Sequence, residues 1–167
     1  MLSFLSAFIG CKSPSQGEHH SSKKATSIDW EQATKVEYRF GDSSTHPDFH
    51  RSYTIVITAD KMSITIDSYG TELLARDYPN TAEAFNAFID KLSNSGIKKN
   101  KPKDNPCSGG TTESLKLFKG DDCFLDGYSA WCSGEVGSLI IPNGVSQLIC
   151  RQLPEDVNEL SNSTMKQ

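Results

Sequence analysis

Two groups of side chains in this 167-residue sequence have the types and spacing that chemistry requires. His46, Asp48 and His50 bring two imidazoles and a carboxylate into one short stretch, a set able to ligate a divalent metal or to pass a proton. Pro47 and the polar residues around it put that stretch in a loop, where histidines four apart share no face. A solvated polar loop is the favoured reading, with a metal-dependent enzyme as its rival. The second group is Cys11, Cys107, Cys123, Cys132 and Cys150. Gaps of 15, 8 and 17 residues separate the last four, without the short paired C-x-x-C spacing of a structural zinc site. Asp121, Asp122 and Asp126 lack the remaining ligands of a calcium loop, and His19-His20 reads as two solvated residues. No G-x-S-x-G elbow, H-E-x-x-H helix, Walker loop or dinucleotide fingerprint occurs, so no catalytic residue, cofactor or resident metal is assigned.

Such residues must be held by the elements that hydrophobic periodicity marks out. Val36, Tyr38 and Phe40 alternate with Glu37 and Arg39, the pattern of a strand with one buried face. Tyr53, Ile55 and Ile57 alternate with Thr54, Val56 and Thr58; Ala59-Asp60-Lys61 turns the chain, and Met62, Ile64 and Ile66 alternate again, which makes a hairpin. Glu72 to Tyr78 reads as a further strand or as an extension beyond a bulge at Gly70. Asn80-Thr81-Ala82-Glu83 is a capping signal with Asn80 as the cap. Phe85, Phe88, Ile89 and Leu92 then form one stripe of a helix over about 81–95, stopped at Ser95-Gly96-Ile97. Lys98 to Asn105 reads as an exposed loop.

Leu115 and Leu117 lead through a turn at Lys119-Gly120-Asp121-Asp122 into a second hairpin arm that ends near Trp131. Val145, Leu148, Ile149 and Leu153 suggest a short helix over about 144–153, ended by Pro154. The expected class is α+β: an antiparallel sheet of about five or six strands including two hairpins, with the amphipathic helix packed on it and a short C-terminal helix. The expected order is β-β-β-(β)-α-β-β-α, in one domain over residues 30–154 with a loose tail over 155–167.

The N-terminus has a different character. Leu2 to Gly10 is a short apolar run that stops at Cys11, too short for a membrane span and suited to the core of a secretion signal. Phe8-Ile9-Gly10-Cys11 resembles the lipobox of bacterial lipoproteins. The resemblance implies a signal peptide over residues 1–10, a lipidated Cys11 as mature N-terminus and a flexible stalk to residue 29. Several acyl chains exceed what stable anchoring needs. Because no Lys or Arg precedes the run, the start of translation is expected upstream of Met1. Residues Tyr38 through Leu153, with His50-Arg51-Ser52-Tyr53-Thr54-Ile55 and Asp67-Ser68-Tyr69-Gly70, are similar to small exported proteins of Bacteroidota, a resemblance that carries no activity with it.

Setting Cys11 aside leaves four cysteines, an even number in an exported chain, which reads as two disulfides with three possible pairings. A hairpin turning near Gly120 sets Cys107 opposite Cys132, and Cys123 is left for Cys150 on the final helix. With 36% apolar residues, 23% charged residues and a net charge of -4, the chain lacks the concentrated basic surface of a nucleic-acid binder. The expected localisation is the bacterial cell envelope, with the outer membrane favoured over the inner. The expected role is a non-enzymatic module that binds another envelope protein, for example as an inhibitor of a hydrolase. A purely structural lipoprotein is the other reading.

Overall fold

Alternation within the chain becomes layering in the fold. In the computed structural model, which describes residues 27–101, 109–131 and 135–165, four strands make an antiparallel meander. They are β1 (Lys35–Gly41), β2 (Ser52–Thr58), β3 (Lys61–Ser68) and β4 (Thr71–Pro79). Then follow α1 (Ala82–Ser93), β5 (Lys98–Lys99), and the hairpin of β6 (Thr111–Lys119) and β7 (Asp122–Trp131). The described chain finishes with β8 (Glu135–Gly137), β9 (Leu139–Ile140), α2 (Val145–Cys150) and α3 (Val157–Ser163). Because β6 pairs with the free side of β1, the main sheet has seven strands in the order β4-β3-β2-β1-β6-β7-β8, and β5 with β9 forms a separate two-stranded ladder.

Register brings the apolar residues into rows on one face. Val36 stands between Ile57 and Leu117, and Tyr38 between Ile55 and Leu115, with Met62 and Ile64 next in line on β3. All are buried, and they form one core with Phe85, Phe88, Ile89 and Leu92 of α1 and with Val145, Ile149, Val157 and Leu160 of the C-terminal helices. Burying that helical stripe against the apolar face of the sheet accounts for the α+β arrangement. The opposite face is polar, with ion pairs between neighbouring strands: Lys116 to Glu37 at 3.4 Å and Lys61 to Asp77 at 3.3 Å.

One close approach explains how β9 lies over the main sheet. Gly127 sits on the buried face opposite Leu115, and a Cβ there would fall 2.5 Å from Leu139 Cγ. Gly127→Ala is therefore expected to overpack this contact and cost about 1–3 kcal/mol, seen as a lower urea midpoint. An unchanged midpoint would mean that Leu139 yields freely.

Several details depart from the sequence reading. The main sheet has seven strands, where five or six were expected, because β8, three residues long, is too short for alternation to register. Lys98 and Lys99 form β5, not loop, since Ile140 and Leu139 offer them a pairing edge. The bulge lies between Ile66 and Asp67, where β4 carries an extra residue at Leu73. Tyr69 and Gly70, both at positive φ, make the two-residue turn between β3 and β4.

Thr81, not Asn80, caps α1: its Oγ1 accepts from the Ala84 N–H at 3.2 Å, while the Asn80 side-chain amide donates to the Thr58 carbonyl at 2.6 Å. The stop at Gly96 holds, with positive φ there and Ile97 buried after it. α2 ends at Cys150, before Pro154. The segment expected to be loose from Glu155 contains α3, capped by the Asp156 carboxylate and buried through Val157 and Leu160.

Candidate functional site

The loop between β1 and β2, the Tyr69-Gly70 turn and the C-terminal end of α3 meet at one end of the sheet. His50 is buried there: its ring stacks on Tyr69 at 3.8 Å between centroids, its Nδ1 accepts from the Tyr69 N–H at 3.3 Å, and its Nε2 lies 3.5 Å from Ser52 Oγ. His46 instead points to solvent, with Nδ1 3.5 Å from Asp48 Oδ2. The fold therefore brings His46 and Asp48 together and gives His50 a packing role. Among the described residues, no group of three His, Cys, Asp or Glu side chains could hold a metal ion.

Arg51, which the sequence did not single out, organises this end. It is 7% exposed and has no carboxylate partner among the described residues; it donates instead to carbonyl oxygens of Pro47 (3.4 Å), Asp48 (3.0 Å) and His50 (2.6 Å) in the loop. It also reaches Thr164 Oγ1 at 2.6 Å and the Thr164 carbonyl at 2.9 Å, at the cap of α3. Five donors in a fixed plane suit such a set of acceptors. Asp42 supports the same loop, accepting from the Arg51 backbone N–H at 2.9 Å and the Ser43 N–H at 2.7 Å. Asp67 holds the turn: burial pushes its pKa up, but the Arg39 guanidinium (2.8 Å) and the Gly70 N–H (2.9 Å) outweigh this and leave it below the usual carboxylate range.

On this scaffold sits an apolar surface. A cleft of about 380 Å³ is lined by Pro47, Arg51, Tyr69, Leu73 and Thr164 among others. Tyr69 is 55% exposed and Leu73 39%, and the chain neighbours of the lining residues Asp48 and Thr164, Phe49 and Met165, are 61% and 38% exposed. Large apolar side chains left in water beside a cleft mark a contact surface more than a catalytic one.

A second group lies under the C-terminal helices. Tyr53 lines an open cleft of about 630 Å³ beside α2 and α3, with its hydroxyl 3.6 Å from Cys150 Sγ. Behind it the Tyr38 hydroxyl is fully buried, with Glu113 and Tyr53 as its polar neighbours. Burial, then Asp156 and Glu113, raise the Cys150 thiol in spite of the Tyr53 hydroxyl, which makes it a poor nucleophile. Burial also raises the Glu113 carboxyl, partly offset by Tyr38. A carboxyl whose folded pKa is raised favours the fold while protonated, and that contribution is lost as pH rises through the folded pKa. Glu113→Gln is thus expected to be more stable than wild type at neutral pH. Its advantage should vanish below the ordinary glutamate range, as followed by urea unfolding across pH.

The cysteines do not all follow the expected pairing. Cys123 and Cys150 are both free, and Cys123 Sγ donates to the Leu125 carbonyl at 3.2 Å. Strand order is the reason. Cys123 pairs with Phe118, next to Lys35 on β1, whereas Cys150 rests on Tyr53, which pairs with Phe40. Three strand spacings and five residues along the strand separate the two rows, roughly 14 Å by 17 Å, while a disulfide needs Cα atoms within about 7 Å. Cys11, Cys107 and Cys132 lie outside the described residues.

No family model matches the chain, and no curated protein or solved structure matches it. No helix among the described residues is long and apolar enough to cross a membrane. The described surfaces offer contact: an apolar cleft on a rigid polar scaffold, and titratable groups whose partners are structural.

Proposed function

We propose that the protein is a lipid-anchored lipoprotein of the bacterial envelope that acts as a non-enzymatic binding module for another envelope protein. The observation that carries the binding role is the cleft lined by exposed Tyr69 and Leu73, with exposed Phe49 and Met165 next in the chain to two of its lining residues, on a scaffold held by the Arg51 and Asp67 networks. Pre-ordered aromatic side chains bind at low entropic cost, and such anchors dominate protein interfaces. Inhibition of an envelope hydrolase is one concrete form of this role. Cys11 supplies the anchor, and the residues after it the stalk, with the outer membrane favoured. A Cys107–Cys132 disulfide belongs to the same reading; both cysteines lie outside the described residues, and non-reducing peptide mapping tests it.

Affinity capture from envelope extracts tests the binding role. Wild type is expected to retain one reproducible partner, and Phe49→Ser combined with Met165→Ser to weaken that retention about tenfold or more. A partner held equally by both, or none at all, would sink this assignment of the surface.

A further inference from the structure

Asn143-Gly144 is the single Asn-Gly step in the sequence, and it forms the turn that enters α2. An asparagine before glycine has a reaction open to it that bulkier neighbours hinder. The glycine nitrogen can attack the asparagine side-chain carbonyl, because no Cβ on the second residue stands in the way. The fold leaves this step unprotected. Both residues are exposed, and among the described residues neither the Asn143 side chain nor the Gly144 N–H has a hydrogen-bond partner. Gly144 is at φ +96°, nothing lies within 4 Å of where its Cβ would be, and it caps α2 without a side-chain hydrogen bond. One bond closes the turn, from the Val145 N–H to the Pro142 carbonyl at 3.2 Å.

We propose that Asn143 is a site of spontaneous modification by water, through a succinimide. The Gly144 nitrogen bonds to Asn143 Cγ, the Cγ–Nδ2 bond breaks, and ammonia leaves with the proton that the amide gave up. Water then opens the ring. Opening at Cγ leaves aspartate, whereas opening at the main-chain carbonyl leaves isoaspartate, which adds one carbon to the backbone. That carbon has little room. Ile141 and Val145, on either side of the turn, are both buried in the core, and the Pro142 ring lies 3.5 Å from where a Cβ on Gly96 would be. The isoaspartyl link therefore displaces Val145 and loosens α2, and with it the wall of the Tyr53 cleft formed by Ser146, Gln147 and Cys150. The aspartyl form changes charge alone.

Incubating the full chain carrying Cys11→Ser in warm, mildly alkaline buffer, followed by peptide mass spectrometry, tests the proposal. The mass gain of deamidation is expected at Asn143 about tenfold faster than at any other asparagine, Asn94 before Ser95 included. Isoaspartyl methyltransferase should label the same peptide, and Asn143→Gln should suppress the reaction, since glutamine would have to close a larger ring. Once separated by ion exchange, the isoaspartyl form should exchange the amides of Val145–Cys150 severalfold faster than the unmodified chain, and Asn143→Asp should not. A peptide that stays unmodified, or changes no faster than the other asparagines, would overturn the site. An isoaspartyl form with unchanged exchange in α2 would overturn its consequence.

Discussion

Arg51→Ala is expected to lower the unfolding free energy by about 3 kcal/mol and to release α3 from the sheet. Hydrogen bonds from charged donors contribute about 1.5–3 kcal/mol each when measured singly, but truncation also removes the cost of burying the guanidinium. What remains is the set of acceptors left behind, the carbonyls of Pro47, Asp48, His50 and Thr164 and the Thr164 hydroxyl. Water reaches some of them once the side chain has gone, which keeps the loss below the sum. Lysine cannot span loop and helix with one compact ammonium, so Arg51→Lys is expected to recover less than half of the loss. Urea unfolding gives the magnitude, and amide exchange at Val157 to Ser163 reports α3 separately. A loss under about 0.5 kcal/mol, the range of an ordinary surface substitution, would show that α3 is held by Val157 and Leu160 alone.

Cys11→Ser is expected to move the protein from the membrane fraction into the soluble envelope fraction almost completely. Each buried methylene of an acyl chain contributes about 0.8 kcal/mol to membrane partition, so losing several chains changes the equilibrium by many powers of ten. No helix among the described residues offers an apolar span to replace them. Radiolabelled palmitate provides an independent readout: the wild-type chain, expressed from its natural gene, should take up label, and the variant should not. A wild type without label would refute the lipoprotein proposal, whatever its fractionation.

The hairpins and α1 were legible in the sequence because each carries its own period: Tyr53, Ile55 and Ile57 by twos, Phe85, Phe88, Ile89 and Leu92 by threes and fours. The turn at Gly120 was equally local, and Lys119 does face Asp122 across it. What could not be read were facts that depend on neighbours in space. The Cys123–Cys150 pairing failed because β1 lies in the middle of the sheet, which no local pattern announces. α3 was missed because only Val157 and Leu160 turn inward, too few to stand out beside Asn158, Glu159 and Ser161. Nothing local marked out Arg51, because its partner Thr164 is more than a hundred residues away in the chain and only α3 brings it near. The histidines were conspicuous for their type, yet Phe49 and Met165, ordinary residues by composition, are what the surface presents.

The place of β1 also sets an order of events in time. Val36 finds Ile57 on one side within the same meander, but its other neighbour, Leu117, arrives only after α1 and a long connection. Closing that longer loop costs more chain entropy before any contact rewards it, and topologies of this kind fold slowly. The meander with α1 is thus expected to assemble first, and attachment of the β6–β7 hairpin to be the slow step. During that interval β1 is an unsatisfied edge as well as β4. A newly made chain is then most exposed to aggregation, and conditions that slow the late docking should lower yield before they lower the stability of the finished protein.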